Sequence, residues 1–71
     1  MTGYAVIIEG EPGSYSAYAP DLPGCVAAGE TREEVEALMA EAVRLHVDSL
    51  RAHGEPVPEP SAIAATIVQV A

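Results

Sequence analysis

Three carboxylates, Glu9, Glu11 and Asp21, stand near the ends of strand-forming stretches. Carboxylates gathered in space can hold Mg²⁺ for phosphodiester cleavage. Dispersed, the same side chains form a solvated acidic rim, which the sequence favours because nothing around them would hold RNA. His46 and His53 lie seven residues apart, two turns along one helix face. A metal site would need further ligands at matched spacing; none is evident, and packed or helix-terminal histidines are expected. Cys25 has no histidine near it and reads as a small buried thiol in the core or at an interface. Ser14 and Ser16 lack a glycine-rich elbow, and no glycine loop is built to cradle phosphate. No nucleophile stands beside a base. The expectation is a binding module with no catalytic residue, no metal and no cofactor.

The elements that position these residues can be read from punctuation. Tyr4-Ala-Val-Ile-Ile8 is rich in β-branched residues and predicts a strand over 3–9. Gly10-Glu-Pro-Gly13 has the residue types of a tight turn, and 14–19 reads as a second strand that closes a hairpin. Pro20 and Pro23 cannot donate to a ladder, so pairing breaks at Pro20–Gly24 and resumes over 25–28, ending at Gly29. Thr31 followed by Glu34 is a capping box, Glu33, Glu34 and Glu36 suit the positive end of a helix dipole, and Gly54 suits a helix end. These signals predict a helix over 31–53. Val35, Leu38, Met39, Ala42, Leu45, His46 and Leu50 fall on one face at helical spacing. Glu55-Pro-Val-Pro-Glu-Pro60 predicts an extended spacer, and Ile63–Val70 a last strand. The order is β-β-β-α-β, an α+β domain spanning residues 1–71 with a single helix on one sheet face.

One helix covers one face of a sheet. Tyr4, Val6 and Ile8 point one way, and Ala5 and Ile7 the other. The face without a helix therefore keeps an apolar strip, to which Val43 and Val47 add from the flank of the helix stripe. Such a strip suggests a protein interface, and Ala5, Ile7, Val43 and Val47 are the expected contacts of a homo-oligomer. The alternative is that much of the strip is alanine and needs no cover.

Composition narrows the function classes. The 71 residues carry 11 acidic and 3 basic side chains, a formal net charge of −8. Nucleic-acid binders neutralise phosphates with Lys and Arg, and this chain does not supply that field. An acidic surface suits a basic protein partner or simply keeps a small protein soluble. With one cysteine there is no internal disulfide, which fits a reducing compartment. No apolar run approaches the ~20 residues of a membrane span, and no basic region precedes the first apolar stretch as in a signal peptide. The cytoplasm is expected.

Three pieces in order carry a family resemblance: Tyr18-Ala-Pro-Asp-Leu-Pro-Gly-Cys-Val26, Gly29-Glu-Thr-Arg-Glu-Glu34 and Gly54-Glu-Pro-Val-Pro-Glu-Pro-Ser61. Together they resemble the HicB-like antitoxins of bacterial toxin–antitoxin systems, across nearly the whole chain. The resemblance implies a partial RNase H-like sheet without the full carboxylate set of a nuclease. It also implies a HicA-like partner, a small basic ribonuclease whose active site the antitoxin covers. Many members add a C-terminal DNA-binding domain; this sequence stops at Ala71, just after the expected last strand, so a stand-alone member without direct DNA binding is expected. Against a basic toxin, Glu9, Glu11 and Asp21 are the expected charged contacts and Leu22 an expected apolar one. A small homo-oligomeric regulatory or structural protein without a toxin partner remains the alternative. A residual metal-dependent nuclease built on Glu9, Glu11 or Asp21 is disfavoured by the acidic balance.

Overall fold

The chain begins its regular structure with a hairpin. In a computed structural model describing residues 3–70, β1 (Ile7–Glu11) and β2 (Ser14–Tyr18) are joined by Pro12 and Gly13. The first strand starts later than its β-branched run suggested and continues through Gly10. That continuation requires glycine: Gly10 sits at φ +116°, and a Cβ there would lie 2.2 Å from the Ser14 carbonyl oxygen. A third strand, β3 (Val26–Gly29), pairs antiparallel with β2, giving the sheet order β1-β2-β3. The Gly13 N–H reaches across to the Glu30 carbonyl at 3.0 Å and ties the hairpin loop to the end of β3.

Between β2 and β3 the proline-rich turn folds inward. Ala19 N–H bonds the Cys25 carbonyl at 3.2 Å, Leu22 N–H the Ala19 carbonyl at 3.1 Å, and Cys25 N–H the Leu22 carbonyl at 3.1 Å. These bonds make a compact knot that drives Leu22 into the interior, where none of it is exposed. Leu22, Val35 and Met39 are the largest fully buried side chains, joined by Ala17, Ala19, Cys25 and Val47.

The helix α1 (Arg32–Ala52) matches its sequence signals at both ends. The Thr31 hydroxyl accepts the Glu34 N–H at 3.1 Å, while the Glu34 carboxylate accepts the Glu30 N–H at 3.3 Å, one residue before the cap. At the far end Gly54 is left-handed (φ +68°), its N–H bonds the Arg51 carbonyl at 3.1 Å, and the Glu55 N–H bonds the Leu50 carbonyl at 2.8 Å. That pair of bonds is a Schellman closure. The buried stripe is rotated from the one the sequence suggested. Val35, Met39 and Val47 are buried, with Ala42, Val43, His46 and Leu50 half-buried, whereas Leu38 and Leu45 are exposed. The i, i+4 ridge Val35–Met39–Val43–Val47 faces the sheet, so Val43 and Val47 serve this chain's own core rather than a flank.

Past the helix the chain crosses back over the core. Val57 packs against the core, and the Tyr4 hydroxyl donates to the Pro58 carbonyl. The expected last strand is not formed: residues 55–70 have no regular secondary structure. A strand exists through its ladder, and this arm makes none with β1, whose outer edge stays open. Ile63, Ile67, Val68 and Val70 are 92, 85, 75 and 89% exposed. Each such side chain left in water forgoes roughly 1.5–3 kcal/mol of burial. Among the described residues, no helix is long and apolar enough to cross a membrane.

Candidate functional site

The face of the sheet turned away from α1 holds the candidate surface. Ala17 is buried beneath the helix and Ile8 packs against the core, so the opposite parity, Ile7 with Tyr18 and Val26, faces outward. The strand register sets these three opposite one another: Ile7 pairs with Tyr18, and Tyr18 with Val26. The next outward row is Glu9, Ser16 and Ala28, and beyond it Glu11 pairs with Ser14 at the hairpin end. The surface thus grades from an apolar row, where Tyr18 is 39% and Val26 65% exposed, to an acidic, hydroxyl-lined end. Glu9 and Glu11 are both exposed.

Asp21 does not join them. It lies past the opposite end of β2, and a five-residue strand at ~3.3 Å per residue separates the two ends by more than 10 Å. Its carboxylate is engaged within the chain: Oδ2 accepts the N–H groups of Ser61 and Ala62, each at 3.0 Å, and Oδ1 accepts the Ser61 hydroxyl at 2.6 Å. The Ser61 hydroxyl first, then the two N–H groups, hold the Asp21 carboxyl below the ordinary carboxylate range against a smaller opposing effect of desolvation. Leu22, placed beside Asp21 as an apolar contact, is fully buried and offers no surface. Among the described residues, no three His, Cys, Asp or Glu side chains come together as metal ligands would.

The remaining chemistry-bearing residues are accounted for locally. Cys25 is buried, and desolvation pushes its thiol upward, away from the reactive thiolate. His53 caps the helix end, its Nδ1 donating to the Ser49 carbonyl at 2.8 Å. His46 is half-buried on the core side of α1. Of the four expected interface residues, Ala5 and Ile7 are half-buried, Val43 half-buried against the core, and Val47 buried. Sequence reading missed Tyr18 and Val26. The alternation of small Ala17 and Ala19 with large Tyr18 was the available signal, since a strand close under a helix places small residues inward.

A three-stranded antiparallel sheet followed by one helix, with an apolar row on the sheet face turned away from that helix, defines a small α+β protein. The family model described as "HicB_like antitoxin of bacterial toxin-antitoxin system" matches residues 4–71, and the chain belongs to that family. A UPF0150 protein of Thermoplasma acidophilum is 38% identical over 65 residues, covering 90% of this chain and 94% of that protein. A UPF0150 protein of Synechocystis sp. is 42% identical over 57 residues, 79% of this chain and 72% of that protein. An uncharacterized 14.9 kDa protein of Haemophilus phage HP1 is 32% identical over 60 residues, 84% of this chain but 45% of that protein.

Proposed function

We propose that this protein is a non-enzymatic antitoxin module that neutralises a HicA-like, mRNA-cleaving toxin in the cytoplasm by covering its active site. The observation that carries the reading is the family match across residues 4–71 in a chain of net charge −8. A ribonuclease must be basic where it holds RNA, and an acidic antitoxin is complementary to that surface. Exposed Glu9 and Glu11 at the hairpin end provide the charged rim, and the apolar row Ile7–Tyr18–Val26 the adjoining desolvated contact. The β-β-β-α order, with an apolar arm running on from it, supports a partial RNase H-like sheet that holds no nuclease site.

The test is co-expression with a short basic HicA-type ribonuclease encoded beside this chain's gene. Rescue of growth together with co-purification is expected. Growth arrest unrelieved by this chain, with no complex formed, overturns the reading. A second reading, self-assembly into a small homo-oligomer, is favoured by one specific observation: the arm from Ile63 to Val70 holds four large apolar side chains in solvent.

A further inference from the structure

The sheet has a second edge, on β3, and its surroundings differ from those of β1. Residues Ala65–Ile67 of this chain's own arm line a cavity with Val6–Ile8, so the arm runs on the β1 side of the sheet. In the order β1-β2-β3, the far side of Val26–Gly29 has no ladder partner among the described residues, and no turn or loop hydrogen bond engages these four residues. Sheet edges are commonly blunted by Lys, Pro or a bulge. Val26-Ala-Ala-Gly29 carries no charge and no proline, and it pairs with β2 in unbroken register.

Apolar side chains border this edge on both faces. On the outer face the row Ile7–Tyr18–Val26 ends at Val26, which is 65% exposed. On the other face stands α1. The link of Glu30 and Thr31 turns the helix back over the sheet, and Val35 lies over the end of β3, 3.0 Å from where a Gly29 Cβ would stand. Met39, Ala40 and Val43 line a groove with Val6 and Ile8, which fixes the β1 side of the helix. Leu38 and Leu45, two turns apart, fall on the opposite flank, and they are 40 and 59% exposed. A strand laid beside β3 would continue the outer row with one parity of its side chains and cover Leu38 and Leu45 with the other.

Charge selects the strand. All three basic side chains lie elsewhere: Arg32 lines the groove with Ile8, and Arg44 and Arg51 line a cavity with Tyr4 and Val57. The Leu38–Leu45 flank instead carries Glu34 and Glu41, both exposed and each four residues before a leucine. A second copy of this chain would set the same carboxylates against each other across the edge, whereas a basic segment is drawn to them. Resting on the antitoxin reading above, we infer that the β3 edge receives an extended, basic segment of the toxin as a fourth strand, with Leu38 and Leu45 as its apolar cover. Main-chain hydrogen bonds hold such a strand, and its alternate side chains give specificity.

The test uses the full isotope-labelled chain and the short basic HicA-type ribonuclease encoded beside its gene. Binding should slow exchange of the β3 amides that do not serve β2, and slow it more than at β1. Leu38→Gln with Leu45→Gln should weaken the complex by about tenfold or more. The helical circular-dichroism signal should stay unchanged, since both side chains are exposed. Arg44→Gln with Arg51→Gln, away from this flank, should not weaken the complex. A complex whose β3 amides exchange as in the free chain overturns the edge strand and leaves the antitoxin reading standing. So does a complex that the Leu38/Leu45 variant forms with parent affinity. Protection of β3 amides that rises with the concentration of this chain alone also overturns it, making a second copy the occupant. A ribonuclease that does not bind at all overturns the edge strand and the antitoxin reading together.

Discussion

Asp21 and Ser61, forty residues apart, are bound through both carboxylate oxygens: Oδ2 takes the Ser61 N–H at 3.0 Å and Oδ1 its hydroxyl at 2.6 Å. The contact joins the turn between β2 and β3 to the root of the C-terminal arm. It fixes where the arm leaves the core.

The clasp is pH-dependent in a defined direction. The folded Asp21 carboxyl is lowered from its ordinary value of 3.8 by the hydrogen bonds from Ser61 and Ala62. Its contribution to stability is therefore complete above that ordinary value and is lost as pH falls through the lower folded one. The Ser61 amide resonance should titrate below pH 3.8, and Ser61→Ala should move the Asp21 titration upward. Asp21→Asn should speed amide exchange at Ser61 and Ala62 and leave amides of the α1 interior unchanged. An Asp21 that titrates at its ordinary value would refute the clasp.

Leu22 sets the fold's sensitivity to packing. It is wholly buried, in one core cluster with Val35 and Met39, and Leu22→Ala should destabilise by about 2–5 kcal/mol. A chain of this length has roughly 4–10 kcal/mol in total. Urea unfolding of the variant should show a midpoint well below that of the parent, with the slope unchanged. A loss under 1 kcal/mol would mean that the knot from Ala19 to Cys25 opens in solution.

Thr31 provides a milder perturbation. Its hydroxyl satisfies the Glu34 N–H, and Thr31→Ala should cost about 1 kcal/mol, lowering Tm by about 4–8 °C for a domain of this size. Thr31→Ser should restore most of the loss in the same thermal scan.

What the sequence made legible, and what it did not, follows from the range of the interactions. The helix ends were readable because capping is local: Thr31, Glu34 and Gly54 each act within a turn of their own position. The helix face was harder. Leu38 and Leu45 are as apolar as Val43 and Val47, and only the placement of β2 and β3 decides which pair is covered. Leu22 sat between two prolines and read as surface, because the inward fold of that turn depends on hydrogen bonds between Ala19 and Cys25. The final strand is suggested by composition, but a strand is completed by its neighbour, and among the described residues the arm joins no ladder. Asp21 resembles Glu9 and Glu11 in type and in lying near a strand end; its partner, Ser61, lies forty residues on and leaves no local signal.

Cys25 tests whether that turn serves packing or contact. The thiol is buried and raised by desolvation, so it should react with a thiol reagent only as fast as the core opens. Cys25→Ser places a hydroxyl without an assured partner in the interior and should cost about 1–3 kcal/mol, with toxin neutralisation retained. Loss of neutralisation in a variant that still unfolds cooperatively would give the cysteine a direct role.

The acidic rim makes a kinetic prediction that separates Glu9 and Glu11 from Asp21. Glu9 and Glu11 are exposed on the outer face and share one end of the hairpin, so Glu9→Gln with Glu11→Gln should change stability by no more than about 0.5 kcal/mol. Rim charges act mainly on encounter. Against a basic HicA-type toxin the double variant should associate several-fold more slowly at low salt, and its rate should depend less on ionic strength. Dissociation should change little, because in the proposed complex it is set by the apolar row Ile7–Tyr18–Val26. Asp21→Asn should do the reverse of the rim variant: its carboxylate already serves Ser61 and Ala62, so the arm loosens while association stays near the parent rate. Stopped-flow association at two salt concentrations distinguishes these outcomes. An unchanged rate for the Glu9/Glu11 variant at low salt would place the toxin contact on a different face.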